Sequence, residues 1–66
     1  MDTTILVLKG VDFTADNTTP ETFAEDWQLI SYLPLPMQYR YAKRLRPECE
    51  VFAQWILNEV LGGSDE

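Results

Sequence analysis

Apolar residues recur most regularly near the C-terminal end, at Val51, Phe52, Trp55, Ile56, Val60 and Leu61, with Gln54, Asn58 and Glu59 mostly off the stripe. This spacing predicts an amphipathic helix from Pro47 to Leu61. Pro47 suits a first helical position, where its missing N–H would have no partner, and Glu48 and Glu50 place negative charge at the positive end of the helix dipole. Gly62 and Gly63 close the segment, with Gly62 expected in the left-handed conformation that ends many helices. So short a helix does not hold its shape alone in water. It needs the other apolar residues, chiefly Ile5, Val7, Leu8, Phe13, Phe23, Trp27, Ile30, Tyr32 and Leu33.

Upstream, the run from Thr3 to Phe13 is dense in β-branched and aliphatic residues over a short length, which favours a strand, with Gly10 as a bulge or turn. Ile5 and Val7 would share one face and Leu6 and Leu8 the other, so both faces would need cover. Thr14 to Thr19 is polar and turn-prone and reads as a loop. Thr19 then suits an N-cap before Pro20, and Phe23, Trp27 and Ile30, joined by Ala24, fall on one face of a helix that ends at Pro34.

The segment from Leu33 to Arg46 fits two periods. As a strand, Met37, Tyr39 and Tyr41 share a face; as a helix opened by Pro36, Met37, Tyr41 and Leu45 align at steps of four, as do Arg40 and Arg44. The strand reading is preferred. The order becomes strand, helix, strand, helix, an α+β (βαβα) domain, with a mostly α arrangement of three helices as the alternative. Two parallel strands make a thin sheet with open edges, which pairing with a second copy or another protein would repair.

Composition adds limits. A hydrophobic fraction of 45% in 66 residues fits one small globular domain over 1–63, with 64–66 as an acidic tail. The chain has one cysteine, Cys49, and no histidine, which excludes an internal disulfide and removes the commonest metal ligand and general base. The opening residues lack a basic stretch and a long apolar run, so the expected setting is cytoplasmic, with no membrane, metal or cofactor.

Asp26-Trp27, the run Leu33-Pro34-Leu35-Pro36-Met37-Gln38-Tyr39, then Arg44 and Pro47, and finally Phe52-Ala53-Gln54-Trp55-Ile56 resemble the C-terminal end of LysR-type transcriptional regulators. The similarity spans residues 26–61 and rests on apolar, loosely spaced positions. It implies a Pro-led strand followed by a final helix, a remnant of a regulator or a unit borrowed from one. Arg40 stands where that family usually has proline, and neither its winged helix-turn-helix nor its two-lobed effector domain fits in 66 residues.

Charge supplies the remaining signal. The net charge is −6, yet four of the five cations, Arg40, Lys43, Arg44 and Arg46, lie within one short stretch. With Tyr39 and Tyr41 interleaved, that stretch could hold phosphates or stack on bases. The overall charge opposes approach to a polyanion. The expectation is therefore a small acidic, non-enzymatic protein-interaction module, an adaptor or inhibitor, that binds another protein or itself. Its partner-binding candidates are Trp27, Tyr39, Arg40, Tyr41, Lys43, Arg44, Arg46 and Trp55, since aromatic and arginine residues dominate interface energetics. The alternative is a regulator-related or nucleic-acid-associated protein built on residues 40–46. Cys49 lacks a histidine base and no carboxylate pair is placed to share a proton, so no catalytic residue is assigned.

Overall fold

A computed structural model describes residues 3–62. They form four α-helices: α1 (Thr3–Asn17), α2 (Phe23–Ile30), α3 (Leu35–Arg44) and α4 (Glu50–Leu61), the last entered through a 3₁₀ turn at Pro47–Cys49. No strand occurs among the described residues. The α+β (βαβα) expectation is thus corrected to an all-helical domain, and the mostly α alternative was one helix short. The acidic tail expected at 64–66 lies outside the described residues.

Both expected strands are helices for identifiable reasons. In α1 the buried positions are Val11 and Ala15, followed just past the helix by Thr18, at steps of four and three that only a helix places on one side. The β-branched density of Thr4 to Val7 is a weaker preference, and no second strand exists to pair with it. The polar run expected as a loop continues α1 as far as Asn17, whose side-chain Nδ2 donates to the Phe13 carbonyl at 2.8 Å. In α3 Pro34 flanks the first turn and Pro36 lies within it, where prolines cost no hydrogen bond. Burial of the adjacent pair Tyr41 and Ala42 fits a helix facing several neighbours better than an alternating strand.

Boundaries differ elsewhere. The second helix starts at Phe23, not Pro20, because Pro20 to Thr22 form a turn whose bonds run from the Thr22 and Phe23 N–H groups to the Thr19 carbonyl. It stops at Ile30, before Pro34. Gly62 has φ of −86°, a right-handed conformation in place of the expected left-handed one. The C-terminal stripe is also rotated from its expected position: Cys49, Ala53 and Ile56 face inward while Val51, at 78% exposure, Trp55 and Leu61 do not. The small residues Cys49 and Ala53 mark the buried side because they allow the helices to approach closely.

Side-chain pairings give the sense of the helices. Asp12 meets Arg40 and Asp16 meets Arg44, so α1 and α3 ascend together. Phe23 stacks on Phe52 with ring centroids 4.2 Å apart, and Trp27 meets Trp55 edge-on at 5.7 Å, so α2 and α4 ascend together as well. This is the sense of an up-down-up-down order. Helix α3 contacts each of the other three and forms the spine of the core.

Candidate interaction surface

The core face of α3 carries Tyr41, whose side chain is 0% exposed. Its hydroxyl lies 2.9 Å from Thr18 Oγ1, which is also 2.7 Å from the Thr14 carbonyl and 3.0 Å from Asp26 Oδ2. Thr18 has a single proton, and the carbonyl and carboxylate oxygens both accept it. Tyr41 is therefore the donor to Thr18, and Thr18 donates onward. Thr22 Oγ1 also donates to Asp26 Oδ2, at 3.2 Å. Burial, opposed by the Thr18 hydrogen bond, pushes the Tyr41 phenol up to about 12. These partners make Tyr41 a component of the interior, apart from the surface candidates. The Cys49 thiol is buried beside the same strut, 3.6 Å from the Thr18 carbonyl, and burial raises its pKa.

The opposite side of α3 is the molecule's most featured surface. Arg40 grips Asp12 through Nε and Nη2, both at 2.8 Å, and Arg44 grips Asp16 in the same manner at 3.0 and 3.1 Å. These forks hold the Asp12 carboxyl below its usual range and raise both guanidinium groups. Arg46 lies 3.6 Å from Glu48. Lys43 has no ion pair among the described residues. The four cations that the sequence sets in a stripe are thus mostly committed to carboxylates of this chain.

Two shallow hollows meet at Tyr39. The first, about 480 Å³, is lined by Asp12, Tyr39, Arg40, Lys43 and Arg44. The second, about 360 Å³, lies between the start of α3 and the end of α4 and is lined by Leu35, Pro36, Tyr39, Val60 and Leu61. An apolar recess therefore adjoins a charged shelf, with one aromatic ring at the border. Gln38 braces the loop behind it, donating through Nε2 to the carbonyls of Ser31 and Leu33 at 3.1 and 2.9 Å.

Of the sequence-assigned candidates, Tyr39, Arg40, Lys43 and Arg44 come together here. Trp27 and Trp55 meet on the α2–α4 side, where Trp27 also faces Tyr41 at 6.1 Å and Phe23 at 6.0 Å. Trp27 is half-buried and Trp55 partly exposed. Arg46 stands beyond the end of α3 and lines neither hollow. The apolar wall, Leu35, Pro36, Val60 and Leu61, was not singled out as a site. Asp12 and Asp16 had a readable signal, because their four-residue spacing matches that of Arg40 and Arg44.

Among the described residues no group of three or more His, Cys, Asp or Glu could hold a metal ion, and no helix is long and apolar enough to cross a membrane. Comparison with protein-family models, curated proteins and solved structures gives no match. The segment that the regulator resemblance would make a Pro-led strand is α3.

Proposed function

We propose that this chain is a small acidic protein-interaction module that acts by binding rather than catalysis, with the recess and shelf around Tyr39 as its docking surface. The observation that carries this reading is the recess itself, walled by apolar side chains that include the exposed Leu35, Tyr39 and Leu61. An apolar anchor point rimmed by charge is the usual anatomy of a protein interface. The chemistry-bearing residues support the same reading: Arg40 and Arg44 are spent on Asp12 and Asp16, and Cys49 is sealed with a raised pKa. A buried thiol kept reduced suits the cytoplasm, which we propose as its setting.

Photo-crosslinking tests the assignment. Benzoylphenylalanine at position 39 is expected to capture one discrete partner protein from the host cytosol. The same group at the exposed Glu59 should not. Equal labelling from both positions, or none from position 39, refutes the surface.

A further inference from the structure

The shelf beside Tyr39 is built from hydrogen-bond donors with few acceptors to meet them. Arg40 and Arg44 each give Nε and Nη2 to an aspartate, which leaves Nη1 of both guanidinium groups without a bond among the described residues. Lys43 is exposed and has no ion pair among them. The Tyr39 hydroxyl has no hydrogen bond among them either, unlike that of Tyr41. The one carboxylate in the lining, Asp12, already has both oxygens on Arg40.

Charge narrows what can meet these donors. The three cations of the shelf stand against the two aspartates they grip, which leaves one positive charge on a chain whose net charge is −6. A carboxylate matches that single charge and has lone pairs for several N–H groups. A phosphate monoester carries nearly twice the charge and meets the repulsion of the whole chain.

The apolar recess adds a second requirement at a fixed distance. On α3 it takes positions 35, 36 and 39, and the shelf takes 39, 40, 43 and 44. Their centres therefore stand about five residues, or roughly 7 Å, apart along the axis. Two side chains four apart on another helix are separated by about 6 Å of rise, so a helix lying along α3 reaches both. No strand among the described residues offers an edge to an extended segment, whereas the cleft between α3 and α4 suits a helix.

We infer that the occupant of this surface is an amphipathic helix of a partner protein, which seats an apolar side chain in the recess and, one turn away, sets an aspartate or glutamate on Lys43. The inference rests on the docking surface proposed above and names the chemistry of its partner. Lys43 selects for charge, because Arg40 and Arg44 are already neutralised by their forks.

A phage-displayed library of helical peptides, panned against the whole 66-residue chain, tests it. Selected peptides should carry a large apolar residue with Asp or Glu four positions before or after it. Lys43→Glu, which alters no ion pair among the described residues, should bind them at least fivefold more weakly. Changing the peptide's acid to Lys should reverse that preference, restoring binding to Lys43→Glu and weakening it to the unmodified chain. Leu35→Glu, at an exposed wall of the recess, should abolish binding with an unchanged helical circular dichroism spectrum. Peptides that need Leu35 but show no preference for an acid, or that bind Lys43→Glu undiminished, overturn the inference and leave the docking surface standing. Peptides indifferent to Leu35→Glu overturn both. A panning that selects nothing overturns the inference as well, and crosslinking at position 39 then decides the docking surface separately.

Discussion

The Tyr41–Thr18 contact allows a double-mutant prediction with a definite sign. Tyr41→Phe removes the hydroxyl that donates to Thr18 Oγ1. Thr18 keeps its own outlets in the Thr14 carbonyl and Asp26, so the cost is that of one ordinary hydrogen bond, about 1 kcal/mol. Thr18→Val does more harm. It leaves the Tyr41 hydroxyl without an acceptor at a position of 0% exposure and deprives Asp26 of a donor, for about 2–3 kcal/mol. Removing both partners strands no phenol, so the double mutant should lose only about 2 kcal/mol where simple addition gives about 3–4. The coupling of about 1.5 kcal/mol is measurable by urea unfolding followed through tryptophan fluorescence. A chain of this size has roughly 3–5 kcal/mol in hand, so the titrations belong at low temperature with an excluded osmolyte to hold Thr18→Val folded. Additivity within about 0.5 kcal/mol would refute the network: the hydroxyls would then be solvated separately.

The same phenol sets an alkaline limit. Its pKa is raised to about 12 in the folded chain against about 10 unfolded, so its contribution is whole below pH 10 and lost as pH rises through 12. Tyr41→Phe should flatten that limb of a pH–melting curve. Asp12 works in the opposite direction. Its folded pKa is lowered, mainly by the Arg40 hydrogen bond, so its contribution is present above about pH 4 and disappears as pH falls through the folded value. Arg40→Gln should diminish this acid limb, and high salt should reduce it in the parent, because the pair is exposed. Finally, the Cys49 thiol should react with a disulfide reagent at pH 8 only as fast as the protein opens, and at once in urea. A fast reaction under native conditions would contradict its burial.

The C-terminal helix was legible because its apolar residues, its proline start and its first-turn carboxylates agree. The orientation of that helix was not, since Val51, Trp55 and Leu61 are as apolar as the buried side while Ala53 and Cys49 are too small to draw notice. Helix α1 was misread for a related reason. Its inward row ends in Ala15 and Thr18, whose burial depends on a hydroxyl partner in α3, and no local pattern announces a partner 23 positions away. The period of α3 was fairly balanced between strand and helix until the arginine spacing met the same spacing in Asp12 and Asp16. Matching spacings in two segments were the one long-range sign available. Of the candidate surface, the residues with charge or an aromatic ring were visible; the wall of Leu35, Pro36, Val60 and Leu61 arises only when α3 and α4 fold back on each other.

That matched spacing explains how a small core selects one arrangement of helices. Exposed ion pairs contribute little to stability, yet these two are matched in register. Sliding α1 by one turn in either direction would leave only one of Arg40 and Arg44 opposite an aspartate, the other meeting Leu8 or the region beyond the helix end. The same slip would carry Thr18 away from Tyr41 and strand a buried phenol. The costs of the exposed and the buried polar contacts therefore fall on the same wrong alignments. A fork that adds little to the depth of the native minimum still raises its competitors, which is the role in which polar contacts are best attested. Fixing α1 on α3 also determines which way α1 turns, and leaves Leu6 and Phe13 exposed to solvent.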